Sequence, residues 1–116
     1  MAQGRFIPTS EEFVRGFRAI APLHDNHLEM LRTHYRASHQ TLTATQLALA
    51  VGYDGFRAVN LQYGLLAARL GEAMDLHGAN LSLLVKFTAP GEDGNEHWEL
   101  QLRPEVMLAL ETLGWV

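Results

Sequence analysis

Apolar residues recur at helical spacing through the first two thirds of the chain and alternate after about residue 80. Phe13, Val14, Phe17 and Ile20 share one helical face, and Thr9 with Glu12 ahead of them has capping-box spacing, so a first helix runs to about Ile20. Glu11 and Arg15 pair on its wet face, and Pro22 blocks continuation. Asp25 is a good N-cap for a second helix whose stripe is Leu28, Leu31 and Tyr35, and residues 37–42 read as a loop. Thr43 and Gln46 form a second capping box. The short third helix carries Leu47, Ala48 and Val51 and stops at Gly52, which tolerates a left-handed backbone. Asp54 caps a fourth helix reaching about Met74, with Phe56, Val59, Tyr63, Leu66, Leu70 and Met74 on one face.

Beyond Gly78 the pattern changes. Leu81, Leu83, Val85 and Phe87 alternate with Ser82, Leu84, Lys86 and Thr88, and Trp98, Leu100 and Leu102 alternate with His97, Glu99 and Gln101. The turn-rich stretch between them holds Pro90, Gly91, Asp93, Gly94 and Asn95, which makes an antiparallel hairpin of about 81–102. Pro104 suits the first position of a last helix, Gly114 its stop, and Trp115 a fold-back onto it. The expected class is α+β, mainly helical and winged-helix-like: three or four N-terminal helices with a helix-turn-helix, a hairpin and a C-terminal helix. All 116 residues fit one domain, with a helical part over 1–78 and the hairpin plus helix over 79–116.

Composition narrows the function classes. The chain is 47% hydrophobic and 19% charged, enough to bury a core. Nine Lys and Arg against thirteen Asp and Glu exclude a generally basic nucleic-acid protein, though not a locally placed reader. With no cysteine there is neither a disulfide frame nor a thiolate metal site. No apolar run approaches the ~18 residues of a membrane span, and residues 1–10 lack a secretory leader pattern, so a cytoplasmic protein is expected.

Short helix, tight turn and longer helix is the geometry that lays a recognition helix in a major groove. Ala48 and Gly52 stand where that turn needs a small residue and a left-handed one. Near the start of the fourth helix Arg57, Asn60 and Gln62 carry side chains that suit guanine and adenine edges. On a helical wheel Arg57 faces outward, with Asn60 and Gln62 on opposite flanks. Arg32 and Arg36, with Arg18 behind them, are the candidate phosphate contacts. The far face of the helix is apolar, however: Ala58, Leu61, Leu65 and Ala68 lie there with Gly64 beside them, a pattern that suits a partner or a second copy. Residues 75–116 hold two basic against seven acidic residues, and the hairpin tip carries Glu92, Asp93 and Glu96, which repel DNA. A protein partner met through Glu92, Asp93, Glu96, Leu61, Leu65 and Ala68 is therefore the alternative, either an inhibitor of CRISPR or restriction type or a homodimer seam.

No enzyme chemistry is legible. Asp25, Asn26 and His27 spell the letters of a nuclease motif but stand together at a helix start rather than on a hairpin and helix around a metal. Ser10, Ser38 and Ser82 lack a nucleophile-elbow context, and no phosphate-binding glycine loop is present. His27 and His34 lie two turns apart on one face without the further ligands zinc requires, so all six histidines read as surface or boundary residues, and neither metal nor cofactor is expected. Tyr35 and Tyr63 read as core residues.

The run Met30-Leu31-Arg32-Thr33-His34-Tyr35, the run Thr43-Ala44-Thr45-Gln46-Leu47-Ala48, Val51-Gly52-Tyr53, and above all Asn60-Leu61-Gln62-Tyr63-Gly64 resemble the helical region that precedes the nuclease part of bacterial HNH-type, McrA-like restriction endonucleases. The resemblance covers residues 24–74. It implies an accessory domain in a genome-defence or mobile-element setting that recognises DNA. The nuclease part is absent, so cleavage does not carry over.

Overall fold

The computed structural model describes residues 7–89 and 98–116, which form an α+β fold. Helix α1 spans Ser10–Ile20, α2 Asp25–Arg36, α3 Ala44–Val51, α4 Phe56–Ala73 and α5 Pro104–Leu113. Strands β1 (Thr41–Thr43), β2 (Val85–Thr88) and β3 (Glu99–Leu102) make one antiparallel sheet in the order β1-β3-β2. Thr41 lies opposite Gln101, and Val85 opposite Leu102.

Both expected capping boxes are present. In the first, Glu12 N–H donates to Thr9 Oγ1 at 3.1 Å and Thr9 N–H to Glu12 Oε1 at 2.8 Å. In the second, Gln46 N–H donates to Thr43 Oγ1 at 3.0 Å and Thr43 N–H to Gln46 Oε1 at 2.9 Å. Gly52 ends α3 at φ 87°, and Tyr53 N–H reaches back to the Ala48 carbonyl at 2.8 Å. That closes the turn between α3 and α4 on a buried Ala48, whose small side chain lets the helices meet. Pro104 opens α5 and Gly114 closes it at φ 71°. Trp115 then packs edge-on against Phe17 of α1, with ring centroids 5.5 Å apart.

Local expectations fail where a short polar interaction replaces a regular element. Asp25 is the first residue of α2, and His24 takes the cap position. Asp54 does not cap α4; Gly55 does, without a side-chain bond. The stretch expected as a loop contains a 3-10 turn at Ser38–Gln40 and strand β1. Leu81–Leu83 is a 3-10 turn rather than strand, because Asn80 Oδ1 accepts Ser82 N–H at 2.9 Å and tightens the backbone. The turn breaks the alternation: Leu83, Leu84 and Val85 are buried in succession, whereas Phe87 is exposed. The expected hairpin tip, Pro90 to His97 with Glu92, Asp93 and Glu96, lies outside the described residues.

The core joins Phe13 and Phe17 of α1, Met30 and Leu31 of α2, Leu47 of α3, Val59, Tyr63, Leu66 and Leu70 of α4, Leu100 and Leu102 of β3, and Leu110 of α5. Helix α1 packs against α5 and α4, and α4 packs against α3. Among the described residues no helix is long and apolar enough to cross a membrane.

Candidate functional site

The α-helical period divides α4 into three sectors. Val59, Tyr63, Leu66, Ala67 and Leu70 point into the core. Gln62 flanks them towards the start of α2, and Phe56 with Asn60 flanks them towards the sheet. Arg57, Leu61, Leu65 and Ala68 face solvent. A wheel at about 100° per residue gives the core and outer sectors; Phe56, expected on the core face with Val59 and Tyr63, is instead half exposed at the start of the helix.

Towards α2 the helix is tied down. Gln62 Oε1 accepts from His27 Nε2 at 2.9 Å and from Asn26 Nδ2 at 3.1 Å, and Asn26 Nδ2 also donates to the Tyr53 hydroxyl at 2.8 Å. The amide oxygen only accepts, so His27 carries its proton on Nε2. Burial lowers the His27 pKa, partly opposed by the Gln62 bond, with His24 and Arg69 lowering it further. The Gln62 amide oxygen is thus occupied within the fold, and the side chain is half-buried rather than fully presented to solvent. Arg32 also makes an internal contact: its Nε donates to the Trp115 carbonyl at 2.6 Å.

The histidines are also reassigned. His27 and His34 are buried rather than surface or boundary residues. His34 Nε2 donates to the Leu100 carbonyl at 2.8 Å, and the Tyr63 hydroxyl donates to His34 Nδ1 at 2.9 Å. Burial pushes the His34 pKa down to about 4, against the Leu100 bond that favours the charged ring. Among the described residues no three His, Asp or Glu side chains group as metal ligands.

Towards the sheet lies an open groove of about 550 Å³ between the start of α4, the start of α3 and the strands β2 and β3. Phe56, Phe87 and Trp98 wall it, at 50%, 44% and 54% exposure. Asn60, Thr43, Ala44, Thr45 and Leu100 complete the lining, which among the described residues carries no charged side chain. Phe87 and Trp98 meet edge to face, centroids 6.0 Å apart at 84°. The sheet accounts for this arrangement. Phe87 pairs with Leu100, and Trp98 lies two residues before Leu100 on the same face, so the core's apolar strip continues past its edge. The sequence pattern places both residues on the core face; the end of the packed helices leaves them uncovered.

Of the expected DNA contacts, Arg57 and Asn60 stand on the exposed part of α4 and Arg36 is exposed at the end of α2. Of the expected partner contacts, Leu61 and Leu65 are 58% and 48% exposed and Ala68 is exposed too. Glu92, Asp93 and Glu96 lie outside the described residues. Phe56, Phe87 and Trp98 are not singled out as site residues in the sequence, although an aromatic ring on each side of the β2–β3 connection is a readable signal. No family model matches the chain, and neither a curated protein nor a solved structure matches it.

Proposed function

We propose that this chain is a non-enzymatic winged-helix module that binds duplex DNA through the first turns of α4. The element order α2, β1, α3, α4, β2, β3, with β3 central, supports the winged-helix reading. The observation that carries the DNA reading is that Arg57 and Asn60 stand on the exposed part of α4, with no hydrogen bond among the described residues. Arg57 supplies the cation for phosphate or guanine, Asn60 the amide for a base edge, and Arg36 an outer phosphate contact. Gln62 and Arg32 drop out of the proposed set. The resemblance of residues 24–74 to the region ahead of restriction nucleases supports a genome-defence or mobile-element setting.

The test is fluorescence anisotropy with a labelled duplex at about 50 mM and about 200 mM salt. Binding is expected to weaken with salt, and Arg57→Ala to weaken it further. Absence of binding at the lower salt, or an Arg57→Ala protein that binds like the parent, sinks the reading.

A second reading is favoured by Leu61, Leu65 and Ala68, an exposed apolar stripe with space beside Gly64. In that reading the outer face of α4 meets a second copy or a protein of a defence system. Sedimentation at micromolar concentration, with and without Leu61→Glu, decides it.

A further inference from the structure

The geometry points to the groove between α4 and the β2–β3 strands as a seat for one unstacked nucleobase, an inference that rests on the DNA reading above. Its walls are flat. Phe56 comes from the helix and Phe87 and Trp98 from the sheet, and all three are about half exposed. An edge-to-face pair such as Phe87 and Trp98 covers at most one face of one ring, so aromatic faces remain for a planar ligand. Stacking of this kind accepts any base, since each has a π face.

The polar atoms decide what kind of planar ligand fits. The Asn60 amide lines the groove with no hydrogen bond among the described residues, and the Thr45 hydroxyl and Trp98 Nε1 are likewise unbonded among them. Thr43, by contrast, spends its hydroxyl on the cap of α3. Free directional donors and acceptors at an aromatic wall suit the edge of a base taken out of its stack. Among the described residues the lining is uncharged, which suits a neutral planar group. Arg57, next to Phe56 and exposed, supplies a positive charge outside it for the attached phosphate. An apolar peptide side chain would use the walls and leave the amide, the hydroxyl and the arginine idle. A groove of about 550 Å³ is within the size range of small-ligand sites.

The experiment compares two labelled duplexes of one sequence, one fully paired and one with a single bulged base, at about 50 mM salt. The parent protein is expected to prefer the bulged duplex by about tenfold, the scale of one stacked base. Trp98→Ala is expected to remove that preference and leave the affinity for the paired duplex unchanged, while Trp98→Phe retains it. Because Trp98 is exposed, circular dichroism of the variants is expected to match the parent. Equal affinity of the parent for both duplexes overturns the base seat and leaves the DNA reading standing. Loss of both affinities together in Trp98→Ala also overturns it, assigning Trp98 to the duplex itself. Binding to neither duplex overturns the seat and the reading alike. If Trp98→Ala instead abolishes self-association in the ultracentrifuge and the parent shows no bulge preference, the groove docks a second copy and the base seat falls.

Discussion

The Tyr63 hydroxyl donates to His34 Nδ1 at 2.9 Å, and the two rings lie stacked, 5.9 Å apart and 16° from parallel. One side chain belongs to α4 and the other to α2. The opposite ring nitrogen of His34 reaches the Leu100 carbonyl of β3, so a single neutral imidazole joins two helices and the sheet. A carbonyl oxygen only accepts, which fixes the proton on Nε2 and leaves Nδ1 as the acceptor Tyr63 requires.

Acid should therefore loosen the fold. His34 has its pKa lowered to about 4 by burial, against 6.5 when free. Above 6.5 the ring is neutral folded and unfolded, and the full stability is present. Below it the unfolded chain takes up the proton first, so stability falls until the folded ring also protonates near pH 4. The total effect is about 3 kcal/mol. Urea unfolding followed between about pH 7 and about pH 4 should show this slope, and a His34→Gln protein should lack that part of it.

Removing the Tyr63 hydroxyl should strand the other half of the pair. Tyr63→Phe keeps the ring in the core but leaves His34 Nδ1 buried without its donor. A loss of about 1–3 kcal/mol is expected in chemical denaturation. A variant as stable as the parent would mean that the imidazole finds another donor.

Gln62 and Arg32 should matter for stability rather than for a ligand. Gln62→Ala leaves the His27 Nε2 proton without its acceptor, and Nδ1 of the same buried ring already lacks a donor among the described residues. About 1–3 kcal/mol should be lost. Arg32→Ala frees the Trp115 carbonyl from α2 and should cost about 1 kcal/mol. Oligonucleotide affinity of either folded variant should equal that of the parent, which anisotropy checks.

Two glycines of α4 should respond in opposite directions to alanine. At Gly71 a Cβ would lie 2.5 Å from the Ala79 Cβ and 2.9 Å from the Leu76 carbonyl oxygen, so Gly71→Ala should destabilise by about 1–3 kcal/mol. At Gly64 a Cβ meets nothing within 4 Å, and Gly64→Ala should stabilise by about 1 kcal/mol through helix propensity alone. Thermal melts of the two proteins separate the cases.

The helices were legible because their signals are local. Thr9, Thr43, Gly52, Pro104 and Gly114 act within a turn of the chain, and each occupies the role its type implies. Strand β1 was not legible, because three residues acquire strand geometry only by pairing with β3, far along the sequence. Leu81 to Leu83 misled for the converse reason: their alternation is real, but the Asn80 side chain tightens the backbone into a 3-10 turn. At the candidate site the wheel placed Arg57 outside. It could not reveal that Gln62 meets Asn26 and His27, since that contact depends on how α2 crosses α4. His34 was misjudged on composition, where an unpaired histidine defaults to the surface; the Leu100 carbonyl that makes its burial tolerable belongs to the other end of the chain.

The central place of β3 carries a cost in time. Thr41 must wait for Gln101, about 60 residues later, before β1 exists, and His34 must wait equally for Leu100. A ribosome releasing the helices first delivers a bundle with an open edge and an unanchored imidazole, so closure should come as one late, cooperative event. Chains truncated before β3 should be protease-sensitive throughout rather than partly native.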